Sequence, residues 1–425
     1  MQLVFGHPFM IKAGAGDPLY GSMLMTKLLF VSLLRALVGP VVFFSLAAGL
    51  VGIARAAGLS RLAGATLLYY FTTTAIAIAI GLFAVKVIHP WTSEPPGAAL
   101  GDGTRSWQMV DLSGKTFLDQ DAAAGASVVK KLGRSMFSPP WKAFDPRQPA
   151  ILPIVGYGLL AGLCLMFLTN PGSRPRSWVL KANMFVNRIL ALALWTAPLG
   201  VMAIVFDFSL RTDGRMFSGL LQFALLVFAA TMVHGALVLP GLAAFFGKCS
   251  PRRFFTGSMQ PLLLALSTAS SSATLPSTMR ACEQEHGVSP EVSGFVCPMG
   301  ATMNMDGTAL FEGIAAVFLA WLYHVDLGSG GVVAIFLMAM ISSIGAPGMP
   351  SASMSGMQMV LLAAGIPLEA IGILLIIERP LDTFRTAVNV EGDIAGAIIV
   401  NRYYQKHRGE GSSPSSTSTH EINPA

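Results

Sequence analysis

The chain has 425 residues, of which 53% are hydrophobic and only 12% charged, about half the roughly 25% of a soluble domain. Its mean hydropathy is +0.62, and several apolar stretches exceed the roughly 18 residues that cross a bilayer. A soluble domain is excluded, and an all-α, multi-span membrane protein is expected. The net charge of +6 is modest and calls for no nucleic acid partner. Cys164, Cys249, Cys282 and Cys297 show no paired spacing and read as free thiols. No secretory signal peptide is evident in the first 25 residues.

After an N-terminal segment (1–23), apolar helices are expected near 24–54 and 60–88. A long polar loop at 89–148 follows, then helices near 149–169, 179–208 and 216–247. Residues 248–402 hold two interrupted hairpins, 253–290 and 330–365, each followed by a longer apolar helix, 292–324 and 366–402. Residues 403–425 read as a low-complexity, disordered tail. Arginine and lysine collect in the loops at 55–61, 170–188 and 248–253 and after residue 402. The positive-inside rule places these on the cytoplasmic side, with 89–148 outside and the C-terminus inside a cell membrane. The first helix must then start outside, as though one helix preceded it.

The first hairpin carries ALSTASSSATLPSTM at 265–279, where eight of the twelve residues from Ser267 to Thr278 are Ser or Thr. The 13 residues before it (254–266) reach only about 20 Å as a helix, short of the roughly 30 Å hydrocarbon core. A half-helix that turns back is expected, with the hydroxyl run as its tip. The second hairpin repeats the plan, with its turn at 342–353. Two re-entrant helical hairpins entering from opposite sides form an inverted repeat, the arrangement that places binding sites near the midplane of secondary transporters. Half-helix N-termini suit a carboxylate, and freed carbonyls suit a hard cation.

The helices after the hairpins carry charges that are costly in a bilayer and are candidates for function. Helix 292–324 contains Asn304, Asp306 and Glu312. In helix 366–402, Asp382, Arg385, Asn389 and Asp393 fall within about 80° of one another at roughly 100° per residue. Glu391 falls on the opposite side and is left out of the site. A structural Asp382–Arg385 pair is the plain alternative. An arginine offers a fork for a carboxylate, an aspartate pairs with an ammonium, and oxygen-only ligands suit Na⁺. His234 reads as a packed scaffold residue.

In this order and spacing, SSSATLP, NMDGT, SSIGAPGMP and DTFRTAVNVEGD resemble the dicarboxylate/amino acid:cation symporters, the glutamate transporter homologues, over residues 22–402. The resemblance implies a homotrimer whose protomer has eight membrane helices and two re-entrant hairpins, with a transport domain moving like an elevator past a scaffold. Helix 24–54 then matches the family's second helix, and the first is missing. It implies substrate contacts from Ser271, Thr308, Met349, Asp382, Arg385 and Asn389. Three Na⁺ sites are implied: Gly300, Asn304, Asn389 and Asp393; Thr302, Ser343, Ile344 and Ala346; and Tyr70, Thr73, Thr74, Asn304 and Asp306. Glu312 stands where proton-coupled relatives carry a glutamate, which raises H⁺ co-transport beside Na⁺.

The sequence departs from relatives that carry a second arginine near the site: here those positions are Ala269 and Thr383, with Arg379 one turn away. The expected function is Na⁺-coupled symport of L-glutamate or L-aspartate, with no enzymatic activity and no organic cofactor. A C4-dicarboxylate carrier is the nearest alternative, disfavoured because it leaves Asp382 without an ammonium. An intramembrane aspartyl protease is disfavoured because the residue ahead of Glu391-Gly392-Asp393 is Val390, not glycine.

Overall fold

The computed structural model describes residues 18–54, 60–88, 91, 151–170, 172–211, 215–323, 325–345, 353–367 and 370–409. The expected loop at 89–148, Ala346 and Met349 therefore lie outside the described residues, Trp91 excepted.

All described secondary structure is helical. The helices are α1 (Pro18–Ala54), α2 (Ser60–Ile88), α3 (Ile151–Leu168), α4 (Arg174–Trp195), α5 (Ala197–Arg211), α6 (Arg215–Val233), α7 (Leu239–Phe245), α8 (Pro251–Thr268), α9 (Ser271–Gln284), α10 (Pro290–Met303), α11 (Asp306–Leu322), α12 (Gly328–Gly345), α13 (Ser353–Ala363) and α14 (Ile371–Gly409). Among the described residues, three stretches are long and apolar enough to cross a membrane: Leu62–Ile88, Phe217–Phe245 and Pro290–Leu322. Helices α4 and α5 pass the same test only as a pair, which bends by 49°. Large apolar side chains such as Leu68, Phe83, Leu192 and Trp195 are exposed on these elements. A lipid environment would cover such faces.

Helices α3, α4 and α5 pack on α1, while α14 is the axis of a second group and touches α2 and α5 through α11. The core beside α11 is aromatic: Phe223 stacks on Phe318 at 4.8 Å, and Phe311 lies 5.9 Å from Phe223.

Several expectations change in detail. The hydroxyl run at 267–278 is not an irregular tip: the helix breaks only at Ala269 and Ser270. Ala269 adopts φ 50°, ψ 37° and donates its N–H to Ala265 O, and a left-handed non-glycine residue costs about 1 kcal/mol or more. Ser270 then caps α9 by accepting from Ala273 N at 3.2 Å. Four of the other hydroxyls bond to carbonyls of their own helix: Ser267 and Thr268 to Leu264 O, Thr274 to Ser270 O and Thr278 to Thr274 O. This lets Ser and Thr remain helical in apolar surroundings.

The expected helix 179–208 is broken at Thr196, and 292–324 is broken at Asn304 and Met305. Where the second hairpin was expected, helix α12 runs on to Gly345 and α13 starts at Ser353, so much of the expected turn at 342–353 is helical or outside the described residues. Helix α1 starts at Pro18, and α14 runs through 403–409, which the sequence reading assigned to a disordered tail. Between α6 and α7, residues His234–Val238 form a π-helical turn, in which Leu239 N–H bonds to His234 O five residues back. Pro240 follows directly. It has no N–H to give the ladder, and the wider turn absorbs the mismatch.

Candidate functional site

The break between α10 and α11 places a short irregular segment against the middle of α14, and most candidate residues meet there. Asp306 opens α11, where a helix N-terminus favours a negative charge. Its Oδ1 accepts from Thr74 Oγ1 at 2.7 Å and Thr73 Oγ1 at 3.4 Å, both on α2. Its Oδ2 lies 3.1 Å from His234 Nε2, with both side chains fully buried. The π-helical turn thus supplies a partner that the sequence reading had left as scaffold.

One α14 turn further on, Asp393 Oδ1 accepts from Asn304 Nδ2 at 3.0 Å. Asn304 Nδ2 also reaches Asn389 O at 3.4 Å, while Asn304 Oδ1 is buried with no partner among the described residues. Tyr70 OH donates to Val296 O at 2.8 Å. A Cβ at Gly300 would collide with Asp393 Oδ1 and with Tyr70 OH. Only glycine lets α10 approach α14 and α2 this closely. Two buried carboxylates, hydroxyls and one unused amide oxygen suit a dehydrated monovalent cation.

Nearer the start of α14 the charges are opposite in character. Arg385 is fully buried, and its Nη2 lies 3.0 Å from Asp382 Oδ1 and 3.2 Å from Glu378 Oε1. Its guanidinium stacks on Phe311, with Cζ 3.9 Å from the ring centre. Nε and Nη1 are buried with no partner among the described residues. Asn389 links the two regions: its Oδ1 accepts from Gly307 N at 2.8 Å, and its Nδ2 donates to Thr308 Oγ1 at 3.3 Å. A Cβ at Gly307 would lie 2.7 Å from Arg385 O, so glycine sets this contact too.

Asp382, Arg385, Asn389, Thr308, Asn304, Asp306, Asp393, Tyr70, Thr73, Thr74 and Gly300 are therefore linked through these contacts. Ser271 is buried at the start of α9, which packs on α14, with no described hydrogen bond from its side chain to this cluster. Thr302 lies on α10, which packs on α12, the helix of Ser343 and Ile344. Ile344 O faces Gly49 of α1, 2.7 Å from where a Cβ would stand. Glu312 is fully buried, and its Oε1 accepts from Ser342 Oγ at 2.9 Å. Glu391 Oε2 lies against Gly235 of the π-helical turn, 2.9 Å from where a Cβ would stand.

Arg379 is exposed and makes no described ion pair with the cluster. Glu378 was missed as a partner of Arg385, although a spacing of seven residues puts it about 20° from Arg385 on the same face. Phe311 carried no signal, because an aromatic on an apolar helix reads as core.

The profile of the sodium:dicarboxylate symporter family matches residues 3–403. Excitatory amino acid transporter 5 of Mus musculus is 32% identical over 424 residues, covering 89% of this chain and 76% of the relative. Excitatory amino acid transporter 2 of Homo sapiens is 30% identical over 409 residues, covering 87% and 71%. Neutral amino acid transporter B(0) of Oryctolagus cuniculus is 30% identical over 410 residues, covering 92% and 75%.

Proposed function

Since the chain belongs to the sodium:dicarboxylate symporter family and is thus a Na⁺-coupled secondary active symporter of amino acids or dicarboxylates, not an enzyme, we propose that its cargo is L-glutamate or L-aspartate. The observation that carries this reading is Arg385, fully buried with Nε and Nη1 unpartnered among the described residues and Asp382 beside it. A buried guanidinium with two of its three nitrogens unpartnered among the described residues is costly and suits an incoming carboxylate. Asp382 would receive the amino group, which a C4-dicarboxylate lacks.

In this reading Asn389, Thr308, Ser271 and the Met349 backbone hold the α-carboxylate end. Na⁺ travels at Asp393 with Asn304, Asn389 and Gly300; at Asp306 with Thr73, Thr74, Tyr70 and Asn304; and beneath the second hairpin at Thr302, Ser343, Ile344 and Ala346. The absence of any Lys or Arg contact to Asp306 and Asp393 among the described hydrogen bonds supports cations there. Pairs α8–α9 and α12–α13 act as re-entrant hairpins around the site. The group built on α14 is the moving transport domain, and α1, α3, α4 and α5 form the scaffold of a homotrimer in a cell membrane, C-terminus inside. Glu312 offers a site for a co-transported proton.

The test is uptake of labelled L-aspartate and L-glutamate into proteoliposomes under an inward Na⁺ gradient, with succinate as competitor. Na⁺-driven amino acid uptake lost in Arg385→Ala supports the reading. Uptake of succinate alone replaces it with dicarboxylate transport.

A further inference from the structure

We infer that Glu378 is a specificity-determining residue, competing with the substrate's side-chain carboxylate for Nη2 of Arg385. The inference rests on the acidic amino acid reading above. Glu378, Asp382 and Arg385 share one face of α14, and helical side chains lean toward the N-terminus. Arg385 therefore reaches back over two turns, and its Nη2 engages Asp382 Oδ1 at 3.0 Å and Glu378 Oε1 at 3.2 Å. Phe311 covers one face of the guanidinium, and its N–H donors lie in the plane, so a carboxylate hydrogen-bonds along an edge. Either edge that binds a carboxylate with two parallel hydrogen bonds includes Nη2. Both N–H groups of Nη2 already have carboxylate partners.

A substrate carboxylate must therefore displace one of them. Asp382 sits one turn away with the shorter bond and a short side chain. Glu378 reaches from two turns away with a longer side chain, and it has a second contact to retain: Ser353 Oγ, at the first residue of α13, lies 3.4 Å from Glu378 Oε1. Glu378 is thus the partner that yields, and it yields toward α13. No second guanidinium relieves the competition, because Arg379 is exposed and Ala269 and Thr383 carry no charge. The pocket consequently binds an acidic side chain less tightly than Arg385 alone would, while a neutral side chain makes no demand on Nη2 and is unaffected.

The experiment compares the full-length wild type with Glu378→Gln and Glu378→Asp in Na⁺-dependent binding of labelled L-aspartate, with L-asparagine as neutral competitor. Glu378→Gln is expected to tighten L-aspartate binding roughly tenfold, the scale of one charge-assisted hydrogen bond. Binding of L-asparagine and the Na⁺ concentration for half-saturation should stay unchanged. Glu378→Asp, shorter by one methylene, keeps the charge, withdraws it from Nη2 and is expected to give a smaller gain in the same direction. L-Aspartate binding that is unchanged or weaker in both variants overturns the inference and leaves the function standing. A gain shared equally by L-asparagine also overturns it. Wild type that binds neither ligand with Na⁺ present overturns both.

Discussion

Two buried polar clusters lie along the same helix, and they differ in make-up. Around Arg385, a guanidinium faces Asp382 and Glu378 and still has nitrogen atoms to spare. About two turns later, Asp393 and the neighbouring Asp306 meet hydroxyls, an amide and one imidazole, with no guanidinium or ammonium among their described contacts. The first cluster has guanidinium nitrogens without a partner among the described residues, and the second has an amide oxygen without one. Asn389 and Gly307 join them.

The comparison breaks most sharply at its two charged ends. Arg385→Ala is expected to abolish Na⁺-driven L-aspartate uptake while Na⁺ binding, read by intrinsic fluorescence or calorimetry, survives. Loss of both together would deny that the clusters are separate. Asp393→Asn keeps the shape and removes the charge. It should raise the Na⁺ concentration for half-maximal uptake about tenfold or more, in line with the cost of losing a hydrogen-bonded charge. Substrate affinity at saturating Na⁺ should move far less.

Glu312 lies on α11, one helix away, and tests whether a proton joins the cargo. Glu312→Gln is expected to flatten the pH dependence of uptake, measured from about pH 5 to about pH 9 under a fixed Na⁺ gradient. An unchanged profile would remove Glu312 from coupling.

The smallest effect lies outside both clusters. His286, in the loop before α10, has its pKa lowered to about 4 by burial and then by the charge of Arg253. Its Nε2 lies 3.1 Å from Ser258 Oγ. The unfolded chain binds this proton at about pH 6.5 and the folded chain only near pH 4, so stability falls as pH drops through that window. His286→Ala should flatten this acid-side loss by roughly 1–2 °C of melting temperature, because partial solvent access screens the charge.

Much of this site was legible in one dimension. Helical periodicity placed Asp382, Arg385, Asn389 and Asp393 on one face of α14 and Glu391 on the other, because a rigid helix turns spacing into direction. The same arithmetic reaches Glu378, which the hunt for a second arginine obscured. It could not reach His234 or Phe311. Their partners, Asp306 and Arg385, lie 72 and 74 positions away, and only packing brings them into contact.

The sequence by itself determined that the chain is a multi-span helical membrane protein, which helices carry charge, and which face of α14 is polar. These are local properties, set by hydropathy, helix length and the 3.6-residue turn. Tertiary structure decided where the helices break, that the hydroxyl run folds back onto its own carbonyls, and which buried groups meet across the breaks. Those outcomes depend on contacts between distant segments: glycines at 300 and 307 that admit α10 and α11 against α14, and a π-helical turn that brings an imidazole to Asp306. A buried charge is tolerable only where its partner stands, and the position of that partner is a property of the packed molecule.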